Sequence, residues 1–267
     1  VALPAGPVSH SVLFAVSSAF DIVLSAREQV APGLLRLRFA RADGQPLAHQ
    51  AGQFIQLHLA DAQGNIQRRS YSLANRSDQP LPGNQFEFAI SLVPGGLAAG
   101  LLSTLPIGAS VPASGPLGRF CLNPGDSNRR YLLLATGTGV SPYRAMLPAL
   151  IERMQQGLEV VLLHGARTAD ELPYAGEFLA LAAAQPRFVY LPCVSRQWPV
   201  DLPAACQGHV QDQLARLNPD PAHDIAYLCG NPAMIDAGFA LLRAAGFGMP
   251  RLRREKYLSL SGQAAGA

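Results

Sequence analysis

Arg69, Tyr71 and Ser72 stand together in the run Arg69-Ser70-Tyr71-Ser72-Leu73. A guanidinium, a flat ring and a short hydroxyl at this spacing can clamp a phosphate, cover a planar heterocycle and hydrogen-bond to it. Alternation along a strand would put Arg69 and Tyr71 on one side, with a backbone amide between them and Ser72 beyond. Taken alone, the tetrapeptide also fits an ordinary strand with a surface Arg and a half-buried Tyr.

Two later segments add to this chemistry. Gly137-Thr138-Gly139-Val140-Ser141-Pro142 follows an apolar run and opens a helical pattern. Free amides and the helix dipole at such a junction attract phosphate. Ser141 is placed to cap the helix and Pro142 suits its first turn. A Gly-x-Gly alone is ordinarily a tight turn, and the Gly-x-Gly-x-x-Gly of dinucleotide folds is not present. The second segment, Cys229-Gly230-Asn231-Pro232, ends another apolar strand and starts a helix.

The elements that must position these residues change rhythm along the chain. Leu34–Phe39, Phe54–Leu59, Phe86–Leu92 and Ser110–Ala113 are short, β-prone or alternating, and separated by glycine and proline turns. That pattern predicts a small antiparallel barrel. The polar stretch Asn123–Asn128 reads as a boundary. Beyond it, strands Tyr131–Ala135, Glu159–Leu163, Phe188–Val194 and Ile225–Cys229 alternate with helices. The first helix presents Met146, Leu147, Leu150, Ile151 and Met154 on one face; Ala175–Ala184, His209–Leu217 and Pro232–Ala245 follow. Alternation of this kind predicts a parallel sheet covered on both faces. Pro148, inside the first helix, predicts a kink or a short first segment. The fold class is therefore two-domain, β then α/β: residues 15–124 as the antiparallel barrel and 125–267 as the parallel-sheet α/β domain.

Composition narrows the function classes. With 267 residues, 49% of them hydrophobic and 15% charged, the chain can bury two modest cores. A net charge of +3 is too small to argue for nucleic acid. Arg251, Arg253, Arg254 and Lys256 crowd together, either as a solvated rim or as a docking surface for a small acidic carrier. No window is long and apolar enough for a membrane span. Val12–Ala19 is mildly apolar, but no Lys or Arg precedes it, against a signal peptide. Cys121, Cys193, Cys206 and Cys229 are scattered, which excludes a C-x4-C-x2-C iron–sulfur run within this sequence and suits a reducing cytoplasm. His10, His49, His58, His164 and His223 show no metal-ligand spacing, and no metal site is expected.

In this order and spacing, the Arg69–Leu73, Gly137–Pro142 and Cys229–Pro232 segments resemble the ferredoxin–NADP reductase family of flavoproteins, in its bacterial ferredoxin/flavodoxin type. The resemblance runs from about Asp21 to Tyr257. It implies that Arg69 pairs with the flavin phosphate, Tyr71 lies against the isoalloxazine and Ser72 sits near flavin N5. It extends the flavin contacts to Ser70, to Ala89, Ile90 and Ser91, and to the turn Gly95-Gly96-Leu97-Ala98-Ala99. Relatives carry Ser or Thr where this chain has Ala99, and the lost phosphate hydrogen bond is worth roughly 1.5–3 kcal/mol. FAD is the flavin implied, with FMN as the alternative. Glu255-Lys256-Tyr257 matches the Glu-x-Tyr ending that closes the other flavin face; a plain edge strand is the rival reading.

For the second cofactor, NADP(H), the resemblance implies contacts from Gly137, Thr138, Gly139, Pro142, Gly230, Asn231 and Pro232. Arg167 and the pair Ser195-Arg196 would hold the 2′-phosphate, and His209 stands where close relatives carry an Arg. Cys229 would lie near nicotinamide C4. The expected catalytic set is Ser72, Cys229, Glu255 and Tyr257. The implied activity is electron transfer between NADPH and ferredoxin or flavodoxin by a monomeric cytoplasmic enzyme. The reductase component of an oxygenase and a non-catalytic flavin or nucleotide sensor are the alternatives.

Overall fold

The computed structural model describes residues 19–196, 202 and 205–257. Most of the Val12–Ala19 stretch, His10 and the tail after Tyr257 lie outside the described residues.

The first half forms β1 (Phe20–Ala31), β2 (Leu34–Arg41), β3 (Phe54–Ala60), β4 (Ile66–Ser72), β5 (Phe86–Ser91), helix α1 (Leu97–Thr104) and β6 (Ser110–Leu117). The strands pair antiparallel in the order β4-β3-β6-β1-β2-β5. The cause is plainest in β3, where Ile55, Leu57 and Leu59 are buried while Gln56 and His58 point the other way. They meet Ile22, Leu24, Leu37, Phe39, Phe86 and Phe88 in one apolar cluster. Each such side chain contributes roughly 1.5–3 kcal/mol by leaving water. The two edge strands come back together: the Ala74 amide donates to the Glu87 carbonyl at 2.9 Å, and the Tyr71 ring stacks on Phe88 with centroids 5.0 Å apart. The sheet thus closes on itself beside Ser72.

Two elements here escaped the pattern. Strand β1 has bulges at Leu24/Ala26 and Gln29/Ala31, which break its alternation. Leu97-Ala98-Ala99, read as part of a turn, is instead the first turn of α1, with Gly96 at its N-cap.

The second half forms β7 (Arg130–Thr136), α2 (Ser141–Gln155), β8 (Glu159–Ala166), α3 (Ala175–Ala184), β9 (Phe188–Val194), β10 (Cys206–Gln207), α4 (Val210–Leu214), β11 (Asp224–Gly230), α5 (Pro232–Ala244) and β12 (Leu252–Lys256). All pairings are parallel, in the order β10-β9-β8-β7-β11-β12. Alternate residues of β7 build two layers. Tyr131, Leu133 and Ala135 pack with Met146, Leu147, Leu150 and Phe178 of α2 and α3. Leu132 and Leu134 pack with Val210, Leu214, Ile235 and Leu242 of α4 and α5. Successive strands run outward from β7 to β10, then the chain returns to place β11 on the other side of β7. Strand order therefore reverses between β7 and β11, and their carboxyl ends open a crevice where ligands bind in sheets of this kind.

Local details correct two expectations. Helix α2 is continuous through Pro148, with no short first segment. Its buried face compensates for the one donor that proline removes. Ser141 is not a cap: Val140 holds that place after a 3-10 turn over Gly137–Val140, and Ser141 is buried inside the first turn.

His164 supports the glycine loop from below. Its Nε2 faces the Gly137 carbonyl at 3.0 Å and must carry the proton, while Nδ1 accepts from the Tyr190 hydroxyl at 3.1 Å. Burial drives its pKa down to about 4. The neutral form is thus favoured in the folded protein; its contribution is complete above about pH 6.5 and lost as pH falls through about 4. We expect wild-type protein to lose up to about 3 kcal/mol more stability than His164→Gln between pH 7 and 4. Denaturant titration of both proteins across that range measures the difference.

Candidate functional site

The four residues expected to do chemistry converge from separate elements at the seam between the two sheets. Ser72 ends β4, Cys229 lies near the end of β11, Glu255 lies in β12 and Tyr257 follows it. The Tyr257 hydroxyl donates to Ser72 Oγ at 2.7 Å, and Ser72 Oγ donates to Glu255 Oε1 at 2.9 Å. The Tyr257 amide donates to the Gly230 carbonyl at 2.8 Å, which carries the β11–β12 pairing to the aromatic residue. Tyr257 packs against the buried cluster that contains Cys229. Burial raises the pKa of Glu255, and the bond from Ser72 opposes part of that rise. Burial, with Glu255 close by, holds the Cys229 thiol well above its usual value, so it is not a thiolate nucleophile.

On the first sheet, Arg69 and Tyr71 share one side of β4 as alternation predicts, opposite Leu57 and Ile55 of β3. Arg69 donates to the Arg68 carbonyl at 2.9 Å, and among the described residues no carboxylate pairs with it. An unneutralised guanidinium is what an incoming phosphate requires. One face of the Tyr71 ring is taken by Phe88. Ser70 points to the other side and meets Gln56 at 3.4 Å. Ile90 turns its side chain into the core, so only its backbone can touch a ligand. Strand β5 pairs with β2 alone, leaving one edge of Ala89–Ser91 outside any ladder. The amides of Leu97, Ala98 and Ala99 form the first turn of α1, with no acidic residue beside them. These donors fit a flavin with its phosphates.

On the second sheet the glycine loop lies against the last strand. A Cβ at Gly139 would sit 2.4 Å from the Cys229 carbonyl oxygen, so no other residue fits without moving the backbone. Gly230 has φ +122, and its amide neighbour Asn231 donates to Thr136 Oγ1 at 2.8 Å. The Asn231 side chain then caps α5 by accepting from the Ala233 amide, with Pro232 following. Thr138 is half-buried in the loop, and Pro142 is buried in the first turn of α2. Ser141 Oγ is buried without a hydrogen-bond partner. The loop amides and the two helix starts fit a dinucleotide.

The structure also brings Arg167, Ser195, Arg196 and His209 to one edge. The Arg196 amide donates to the Arg167 carbonyl at 3.0 Å, and the Gly208 amide donates to Val194, placing His209 next to Ser195. The sequence did not reveal how these groups are engaged. Glu171 accepts from Arg167 Nε at 3.0 Å, from its Nη2 at 2.5 Å and from its backbone amide at 3.2 Å. Ser195 Oγ is turned to the Ala166 carbonyl, and Asp212 accepts from the His209 amide at 2.9 Å. Two carboxylates therefore share the edge with the cations.

Comparison with known proteins accords with this arrangement. Residues 21–121 match the family described as Oxidoreductase FAD-binding domain, and residues 133–238 match Oxidoreductase NAD-binding domain. Ferredoxin--NADP reductase B of Sorangium cellulosum is 34% identical over 87% of this chain and 94% of its own length. This chain belongs to the ferredoxin–NADP reductase family. It is a flavoprotein oxidoreductase, with FAD-binding and nicotinamide-nucleotide-binding domains. The reductase subunit of aromatic O-demethylase from Amycolatopsis is 32% identical over 96% of this chain and 73% of its own length. The crystal structure of Amycolatopsis cytochrome P450 reductase GcoB superimposes with a TM-score of 0.78, at 31% identity over 91% of this chain and 71% of that one. A ferredoxin NADP+ reductase from Neisseria gonorrhoeae shares the fold, with a TM-score of 0.77 at 19% identity over 90% of this chain and 99% of that one. Among the described residues there is no cluster that could hold a metal and no helix long and apolar enough to cross a membrane.

Glu171 occupies Arg167 and would repel an anion placed beside it. Glu171→Gln should raise the preference for NADP⁺ over NAD⁺ by roughly 3- to 10-fold, since an exposed ion pair is worth about 0.2–1 kcal/mol and like-charge repulsion adds to it. Dissociation constants for both coenzymes, measured on both proteins, check the shift.

Proposed function

We propose that this protein takes hydride from NADPH and passes electrons singly to a ferredoxin or flavodoxin. The observation that carries the reading is the chain of hydroxyls and carboxyl, Tyr257–Ser72–Glu255, closed over Cys229 at the crevice between the two sheets. When bound, the flavin supplies the conversion between two-electron and one-electron transfer. Arg69 and the first-turn amides of α1 hold its phosphates, the edge of Ala89–Ser91 its polar rim, and Tyr71 one ring face. The glycine loop, Asn231 and Pro232 hold the dinucleotide. Arg167, Ser195, Arg196 and His209 favour the 2′-phosphate, against Glu171 and Asp212.

The protein's own chemistry is one of position and proton. Ser72 Oγ would relay a proton given up by a ring N–H of the bound flavin, passing its own proton to Glu255 Oε1 as it takes that one. That step needs Glu255 as carboxylate, so turnover should rise with pH through its raised pKa. Packing of Tyr257 against the core keeps water from this hydroxyl chain.

The second reading is the reductase component of an oxygenase. The relatives named aromatic O-demethylase reductase subunit and toluate 1,2-dioxygenase electron transfer component, 32% and 30% identical, favour it. Both readings share the cofactors and differ in the electron acceptor. A binding-only sensor shares the cofactors and lacks turnover.

The purified protein should be yellow, release FAD, and reduce ferricyanide with NADPH; absence of turnover with both NADPH and NADH would overturn both enzymatic readings. Reduction of purified ferredoxin and flavodoxin under anaerobic conditions separates the first reading from the second. Arg69→Ala should lose flavin during purification, read from the absorbance ratio of flavin to protein. Glu255→Gln should slow turnover by roughly 100-fold or more and flatten its acidic limb.

A further inference from the structure

Arg144 is a charged side chain that no part of the mechanism above uses, yet it is buried and fully engaged. It sits in the first turns of α2, five residues beyond Gly139, and its side chain is 9% exposed. Nη1 donates to the Ala74 carbonyl at 2.7 Å and to Glu87 Oε1 at 2.6 Å. Nε and Nη2 donate to Glu177 at 2.8 and 2.6 Å. The Tyr174 ring lies 4.5 Å from its guanidinium carbon. Glu87 is 1% exposed, and its other oxygen accepts from Arg38 at 3.1 Å. Arg38 and Glu87 are cross-strand partners of β2 and β5.

The places joined by this fork matter more than the number of bonds. Ala74 lies two residues after Ser72, and Glu87 two residues before Ala89. Arg144 belongs to the helix that begins at the glycine loop, and that loop rests on Cys229 and Gly230. One planar guanidinium therefore connects the Ser72 end of the first sheet to the glycine loop of the second. We infer that Arg144 is a positioning residue: its bonds to Ala74 and Glu87 set the approach of the nicotinamide held by the second sheet to the flavin held by the first. The inference rests on the function proposed above. A guanidinium suits this task because it presents its donors in one rigid plane, whereas a lysine ammonium carries the same charge without the fork. Burial of both charges adds to the demand for a single geometry, since neither partner has water to turn to.

A tie that only stabilised the fold would leave the reaction rate intact in any variant that still folds. The test is stopped-flow reduction of the FAD-loaded protein by saturating NADPH and by NADPH deuterated at C4, with coenzyme dissociation constants and melting temperature measured in parallel. Arg144→Lys should slow flavin reduction by roughly 10- to 100-fold and change the deuterium isotope effect, while coenzyme affinity moves less than about threefold. Glu87→Leu keeps the bulk, removes the acceptor that Arg144 uses on β5 and leaves Arg144 paired with Glu177, so it should remain folded and show the same change in rate and isotope effect. If either FAD-loaded variant reduces within about twofold of wild type, with an unchanged isotope effect, the positioning role is overturned. If Arg144→Lys cannot be loaded, Glu87→Leu alone decides by the same two readings. Wild-type protein that no pyridine nucleotide reduces would overturn the proposed function itself, an outcome distinct from equal rates in wild type and variant.

Discussion

A methyl group at position 139 would stand 2.4 Å from a carbonyl oxygen, and the geometry of the whole site follows from that closeness. The backbone after β7 lies directly on the last two residues of β11, so the starts of α2 and α5 open side by side. Only strands adjacent in a parallel sheet can deliver two such turns to one crevice, and only a reversal of strand order leaves the crevice uncovered. The rest of the second sheet serves this junction. His164 holds the Gly137 carbonyl from beneath, and Thr136 receives the Asn231 amide from the side. On the far side, β12 runs parallel to β11 and delivers Glu255 and Tyr257 level with Cys229 and beyond.

The first sheet approaches this junction through close backbone contact as well. Gly52 has φ +99, and a Cβ there would meet the Phe120 carbonyl at 2.1 Å and the Met146 side chain of α2 at 2.8 Å. The segment between the sheets is thus pinned to the helix that carries Arg144. Tyr227, in the middle of β11, donates to the Cys121 carbonyl at 3.3 Å, and Arg153 of α2 reaches the Asn123 carbonyl at 2.8 Å. Polar bonds of this sort are directional, so they fix orientation where apolar packing alone would permit sliding.

Much of this was legible because the chemistry sits on regular elements. Tyr131–Ala135 and Ile225–Cys229 are continuous apolar runs, and β3 alternates strictly, so period and composition place the strands that carry the glycine loop and Cys229. The Ser72, Glu255 and Tyr257 convergence was legible only through resemblance, since nothing in a linear sequence says that β4 and β12 meet. What stayed hidden is the polar network at the seam. Glu87 inside Phe86–Ser91 and Arg144 inside an otherwise apolar helix face were its visible signs: charges where burial patterning expects none. The engagement of Arg167 by Glu171 was hidden for another reason. A pair four residues apart there depends on a 3-10 turn over Ala169–Glu171, and short turns leave little periodic trace.

Tyr257 has a consequence for affinity. Its ring is tethered by the strand pairing of β12 and held by the bond to Ser72, so it never diffuses away. Anything planar that comes to lie beside Ser72 and Cys229 meets a rival of its own chain, present at a fixed effective concentration. The measured dissociation constant of such a ligand is then its intrinsic value divided by the fraction of molecules in which the ring has swung clear. A ring held on its own strand would retake its place after any such displacement and hasten the ligand's departure. Such a tether would weaken binding and speed release together.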